Sequence, residues 1–192
     1  MAKTKVNKSH KNNTLSIKLF FSVIILIVIY QVTGLMRGPQ EWREYTAQFE
    51  LFILDVSGDI ERRVIKESFE FGEVSFDFMM FARRNLQYAV SHAELPETIS
   101  GKSVVHFAIN SSKKMMQTES VKVYEDSLYK VPGLRVVIEA PDGSQLIQLM
   151  AWNRGRLFRL MAVGEGVGGI QQVGDVEHFF KSFVFTDTLL LE

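Results

Sequence analysis

Between Leu134 and Val163 the apolar positions fall in three short bursts, Leu134–Ala140, Gln145–Trp152 and Leu157–Val163, separated by Pro141-Asp142-Gly143-Ser144 and Asn153-Arg154-Gly155-Arg156. Asp-Gly in the first break and Asn with Gly in the second supply the left-handed backbone of tight turns, so the pattern predicts a three-stranded antiparallel meander. The last burst is apolar on both faces except at Arg159, which puts it in the middle of a sheet with helices packed on it. Upstream, Trp42–Phe49 and Ile60–Phe71 read as strands. Leu51–Gly58 between them reads as a loop closed by Asp55-Val-Ser-Gly58, and Gly72-Glu73 as a turn. Val74–Ala82 alternates, with Val74, Phe76, Phe78 and Met80 on one face and Ser75 and Asp77 on the other, the period of a strand. Arg83-Arg84-Asn85 turns it into Leu86–Glu94, which Pro96 ends.

Residues 98–116 change to helical spacing, with Val105, Ala108, Ile109 and Met116 on one face and Thr98 or Ser100 as the cap. Glu119–Tyr129 returns to strand, and Pro132-Gly133 is expected to turn into the meander. A glycine-rich loop, Gly164–Gly169, then leads to a second helix, Asp175–Ser182. Asp175 is its expected cap, and Val176, Phe179, Phe180 and Phe183 follow i, i+3, i+4, i+7 spacing. The predicted class is α+β, an antiparallel β-sheet flanked by helices. There is no internal repeat.

The N-terminal region has a different pattern. Residues 1–17 are polar, rich in Asn, Ser and Thr, and carry lysines without acids. From Leu19 to Val32 the chain is uncharged and dominated by β-branched residues, and continued to Met36 it is 18 residues long, bracketed by Lys18 and Arg37. As a helix that length is roughly 27 Å, enough for a hydrocarbon core of about 30 Å. The expected organisation is a basic cytoplasmic tail (1–17), a single transmembrane helix (18–36), a linker containing Gly38-Pro39 (37–41), an extracytoplasmic domain (42–186) and a short tail (187–192). Lysines on the N-terminal side orient the N-terminus to the cytoplasm of a plasma (inner) membrane and the domain to the periplasm or exterior. A cleavable signal peptide has the same charge order, but no small-x-small site follows the apolar run and the leading polar region is long. A buried helix of a soluble domain is the third reading, and it fits poorly with a run that lacks a polar face.

Charge narrows the partners. The net charge is zero, with 22 bases and 22 acids. Lys3, Lys5, Lys8, Lys11 and Lys18 all precede the apolar run, so 22 less 5 leaves 17 bases against 22 acids, a net −5 for the remainder. A domain of that sign is a poor ligand for nucleic acid phosphates. The absence of cysteine excludes disulfides, thiolate metal sites, a cysteine nucleophile and a lipidated cysteine.

Three stretches carry a family resemblance: Gly133-Leu-Arg-Val-Val-Ile-Glu-Ala-Pro-Asp-Gly143, Arg154-Gly-Arg-Leu-Phe-Arg-Leu-Met-Ala-Val-Gly164, and His178-Phe-Phe-Lys-Ser-Phe183. They resemble the C-terminal half of PsbP-like domains, including small membrane-anchored bacterial members outside the cytoplasm. The family pattern there is a "G-x-x-G-x-E" strand, a short hairpin, "G-x-R-x-Y-x-L-x-V-x-G", and a helix ending "F-x-x-S-F". Phe158 stands where the family often has Tyr, while Phe179, Ser182 and Phe183 match the helix ending. The resemblance spans roughly residues 42–186 and implies an α/β/α sandwich on the far side of a membrane. It implies no chemistry, because every matching position is a core or turn residue. The photosynthetic members bind photosystem II and influence its manganese and calcium, and no matching ligand set is present here.

The remaining chemistry-bearing residues each have a plainer reading. Gly164-Glu-Gly166-Val-Gly-Gly169 fits G-x-G-x-x-G in form, but a dinucleotide site needs a βαβ unit and a later acid, so a flexible loop where a partner could dock is expected. His92 and Glu94 share a strand face and could hold a metal if His106 came near, although no H-x-x-x-H grouping is present. Ser57 with Asp59 and a histidine could build a hydrolase, but no G-x-S-x-G occurs, and Asp55, Ser57, Gly58 and Asp59 read as loop chemistry. Arg83, Arg84, Arg154 and Arg156 read as turn arginines able to meet a carboxylate or lipid phosphate. Met79, Met80, Met115, Met116, Met150 and Met161 read as core filler. Phe81, Met79, Trp152 and Phe158 fall on the register opposite Phe76, which leaves either an exposed apolar patch or a sheet covered on both faces.

No residue is therefore assigned as catalytic, cofactor-binding or metal-binding. The expectation is a non-enzymatic single-pass membrane protein whose outer domain binds a protein partner in assembly or stabilisation of a membrane complex. The alternative is a small-ligand or metal sensor or carrier in the cell envelope.

Overall fold

A computed structural model describes residues 41–47, 51–69, 72–96, 101–166 and 169–186. The chain divides into two units, Met1–Met36 and Arg37–Glu192, and all described residues belong to the second. Among them no helix is long and apolar enough to cross a membrane. The expected transmembrane segment 18–36, the caps Thr98 and Ser100, and the tail 187–192 lie outside the described residues.

The chain forms β1 (Trp42–Thr46), β2 (Phe52–Ser57), β3 (Glu61–Phe69), β4 (Gly72–Arg83), β5 (Leu86–Glu94), α1 (Gly101–Met115), β6 (Val121–Leu128), β7 (Val131–Glu139), β8 (Gln145–Asn153), β9 (Arg156–Gly164), α2 (Val173–Ser182) and β10 (Val184–Phe185). Seven strands make one antiparallel sheet in the order β3-β4-β5-β9-β8-β7-β6, and β1-β2-β10 make a second. The apolar burst at Leu157–Val163 is thus the central strand of the large sheet, as its two-faced hydrophobicity requires. Leu157, Phe158, Leu160 and Ala162 have no exposed surface.

Both faces of the large sheet are covered. On one, Ala108 of α1 joins Val136, Ile138, Leu146, Met150 and Met161. On the other, Val176, Phe179, Phe180 and Phe183 join Phe52, Leu54 and Val56 of the small sheet and Met79, Phe81, Tyr88, Phe158 and Leu160 of the large one. Aromatic edges fix this second layer: Phe179 lies 5.0 Å from Tyr88 and 5.6 Å from Phe81 between ring centres, the separations that favour edge-on packing. Of the residues that left an apolar patch in question, Met79, Phe81 and Phe158 lie under α2 and the small sheet, whereas Trp152 packs on the opposite face with Phe76 and Leu157. The methionines Met79, Met150 and Met161 are buried as core filler.

Four expectations change. Leu51–Gly58 is not a loop: Phe52, Leu54 and Val56 alternate inward while Ile53 and Asp55 point outward, and β2 becomes the centre of the small sheet. Only Gly58, at φ 69°, behaves as a turn residue. Pro132-Gly133 is not a turn either. Both lie inside β7, and the reversal is made by Tyr129 (φ 55°) and Lys130. Pairing of β7 with β8 starts only at Gly133, so Pro132 sits ahead of that ladder, where its missing N–H is tolerated. Asp175 lies in the first turn of α2, and Gln172 holds the cap position without a side-chain hydrogen bond. Gly72, expected in a turn, pairs with Phe69 as the first residue of β4.

Candidate functional site

The candidate metal trio, which the sequence favoured less than plain structural histidines, does not assemble. His92 lies on the face of β5 toward the small sheet, packed 6.0 Å from both Phe52 and Phe158 between ring centres. Glu94 is exposed and meets Arg156 at 3.4 Å, while His106 is exposed on α1, which covers the opposite face of the sheet. Among the described residues no group of three His, Asp or Glu side chains could hold a metal.

The candidate serine constellation has no accessible nucleophile. Ser57 is fully buried at the end of β2, and the histidine nearby takes a different partner: His178 Nε2 lies 2.7 Å from Asp55 Oδ2, with its ring 4.8 Å from Trp42. Ser182 accepts the Asp55 N–H at 3.0 Å and donates its hydroxyl to Phe179 O at 2.9 Å. Ser182 thus closes the end of α2 onto β2, and its proton is directed at a carbonyl instead of at His178. Sequence reading missed this pair because Asp55 was placed in a loop; on a strand it points outward, toward the helix that carries His178.

The described part of the glycine-rich loop packs on the protein itself. A Cβ at Gly164 would lie 2.8 Å from Gly169 C and O, and one at Gly169 would lie 2.8 Å from Gln145 Cβ. Gly166 donates its N–H to Ser144 Oγ at 3.0 Å. The glycines let the described part of the loop fold tightly against the β7–β8 turn. That turn is itself fixed by Asp142, which accepts the Ser144 N–H at 2.9 Å. This bond and the Ser144 hydroxyl hold the Asp142 carboxyl below its ordinary range.

The arginines are likewise engaged within the fold. Arg83 and Arg84 lie 3.4 and 3.3 Å from Asp175 Oδ2, and Arg83 stacks 4.8 Å over Trp42. Burial, and then Asp175, raise the pKa of the neighbouring Tyr88 hydroxyl well above its ordinary value and keep it protonated. Arg135 donates to Asp126 Oδ2 at 2.7 Å and grips Glu177 with both terminal nitrogens, so one guanidinium ties β6, β7 and α2. A polar group also lies under α1: Gln148 donates to Ser112 Oγ at 3.3 Å and accepts from Arg159 at 3.5 Å.

Among the described residues, a cleft of about 230 Å³ opens between the small sheet and the β3–β4 edge of the large one. Tyr45, Phe52, Arg62, Val64, Asp77 and His92 are among its walls. Val64 is 64% exposed, and Arg62 lies 5.2 Å over the Tyr45 ring. Asp77 Oδ2 and His92 Nε2 are 3.9 Å apart, but burial outweighs Asp77 and holds the His92 pKa below its ordinary value. The imidazole is therefore neutral near pH 7. The cleft can receive an apolar or aromatic side chain, with Arg62 at its rim for a carboxylate.

No family model and no curated protein matches the sequence. Among solved structures, the solution structure of cyanobacterial PsbP (CyanoP) from Synechocystis sp. PCC 6803 is similar, at 12% identity and a TM-score of 0.45, over 79% of this chain and 96% of that one.

Proposed function

We propose that the chain is a PsbP-like, non-enzymatic, single-pass membrane protein whose extracytoplasmic domain binds a protein partner in the cell envelope. The observation that carries this reading is the cleft beside β3. An edge strand with no outer neighbour among the described residues borders an open, largely apolar recess. An extended segment of a partner can add to such an edge and place one side chain in the recess, the main chain giving affinity and the pocket specificity. Arg62, Arg63 and Lys66 on the same strand discourage pairing with another β3, which leaves the edge to a different chain. The lysine-rich N-terminus and the apolar run after it support an anchor with the domain outside the cytoplasm.

The test is a photoreactive amino acid in place of Val64 in the full chain, irradiated in its own membrane. One adduct of defined mass is expected, lost when Arg62→Glu is added. A full-length chain that leaves the membrane in mild detergent without other proteins, and gives no adduct, overturns the reading. A chain whose domain is digested only from the cytoplasmic side overturns the topology.

A further inference from the structure

At the opposite edge of the large sheet, β6 pairs with β7 and, among the described residues, with nothing on its outer side. The Glu139 N–H bonds Ser120 O at 3.4 Å, and this sets the phase of the ladder. Amides alternate sides along a strand, so Lys122, Tyr124 and Asp126 direct theirs to β7, and Val121, Val123, Glu125 and Ser127 direct theirs outward. Ser127 N–H is already taken by Asp126 Oδ1 at 2.7 Å, which closes the open ladder at that end. Over the open stretch Val123 is 46% and Tyr124 50% exposed. An edge of this kind is a template for another strand.

We propose that β6 is the seam of a homodimer, formed when a second copy pairs antiparallel across a twofold axis at Tyr124. Such an axis stands perpendicular to the sheet, so opposed residues must share a face and their positions are symmetric about one residue. Centred on Tyr124, the ladder sets Lys122 against Asp126 of the second copy, twice by symmetry, and Tyr124 against its own equivalent. Val123 and Glu125 then exchange main-chain hydrogen bonds through the outward amides. Centring on Val123 instead faces Lys122 with Tyr124 and Val121 with Glu125; centring on Glu125 faces Tyr124 with Asp126. Both alternatives lose the charge pairs. Asp126 already holds Arg135 on one oxygen, so Lys122 of the second copy joins a network that is in place. β3 is unsuited to the same seam: centred on Val64, it would set Arg62 against Lys66 of the second copy, base against base. This inference goes beyond the partner-binding reading and concerns the other edge of the sheet, so either can fail without the other.

The chain has no cysteine, so one introduced thiol reports the seam. A central pair that makes no main-chain hydrogen bonds brings its Cα atoms to about 4.5 Å, within the roughly 4.4–6.8 Å span of a disulfide. Full-length Tyr124→Cys, mildly oxidised in its own membrane, is expected to shift on a non-reducing gel from 22.0 kDa to twice that mass and to return on reduction. Val64→Cys is expected to stay monomeric. Adding Lys122→Glu to Tyr124→Cys places acid against acid and is expected to slow cross-linking about fivefold or more. Cross-linking of Tyr124→Cys no faster than Val64→Cys, or unchanged by Lys122→Glu, overturns the proposal.

Discussion

Gly133→Ala tests the placement of β7 most directly. A Cβ built at Gly133 falls 2.3 Å from Met150 O, 3.2 Å from Met150 C and 3.4 Å from Ala151 Cβ. Real Cβ atoms essentially never come within 3.0 Å of a neighbour, so the strands must separate by at least the difference, 3.0 − 2.3 = 0.7 Å. Met150 cannot yield cheaply. Its backbone is opposed by Leu134 of β7 on one side and Arg159 of β9 on the other, and moving it disturbs two ladders. Overpacking of this kind costs about 1–3 kcal/mol, and a clash with backbone belongs at the upper end. At about 2–4 °C per kcal/mol for a chain of this size, the melting temperature should fall by about 6–12 °C. Gly155→Ala is the comparison. Gly155 has φ +72° with nothing within 4 Å of its Cβ position, so only the left-handed backbone opposes a side chain, at about 1–2 kcal/mol. The assay is thermal unfolding of the full chain in mild detergent, followed by fluorescence of Trp42 and Trp152, both in the described domain. If Gly133→Ala melts within about 2 °C of the parent, or above Gly155→Ala, Gly133 is not clamped against β8 and the argument fails.

Arg135→Met should destabilise by about 1.5–3 kcal/mol, because it strips the charge partner from Asp126 and Glu177 together. A double-mutant cycle with Glu177→Gln should return a coupling above about 0.5 kcal/mol, and additivity would refute the shared clamp. His92 predicts a pH dependence. Its folded pKa is lowered chiefly by burial, so below about pH 6.5 the unfolded chain takes up a proton that the folded chain does not. Stability should therefore fall as pH drops from about 6.5 toward 5. His92→Phe should flatten that slope in chemical denaturation, and an unchanged slope would sink the assignment.

The parts of the fold legible in the sequence were those where local pattern and burial agree. The meander was legible because Asp142-Gly143 and Gly155 mark its turns, with positive φ at Gly143 and Gly155, although in the second turn Arg154 and not Asn153 joins the glycine in the left-handed region. β5 was read to its observed ends, Leu86–Glu94, since Arg83-Arg84-Asn85 and Pro96 bound it. The buried stripe of α2 was legible too, because Val176, Phe179, Phe180 and Phe183 repeat at helical spacing. β2 was missed for the converse reason. Its six residues carry an Asp and are followed by Gly58, and what makes them a strand is pairing with the neighbouring β1 and with two residues of distant β10. Gly133 misled because glycine serves turns and close strand crossings alike, and only the Met150 carbonyl across the ladder distinguishes the two.

The binding surfaces were less legible than the core, and the reason is geometric. Periodicity reports which face of a strand is buried, but an edge is a property of strand order. Val64 and Tyr124 alternate with their neighbours as any sheet residue would, and neither becomes notable until β3 and β6 are known to be the outermost of seven strands. The polar candidates failed by the same logic. His92, Glu94 and His106 lie within a short stretch of sequence, yet β5 and α1 hold the two histidines on opposite sides of the sheet. His178 and Asp55, far apart in sequence, meet because α2 folds back over β2. In an antiparallel sheet with covered faces, each cross-face pair of polar residues is separated by the sheet itself. Same-face pairs such as Arg135 with Asp126 and Glu177 are absorbed into holding the layers together. Among the described residues, the surface left over for function includes the two outer edges of the large sheet and the cleft beside one of them. This is why the decisive tests on this molecule fall on Val64 and Tyr124 instead of on its histidines.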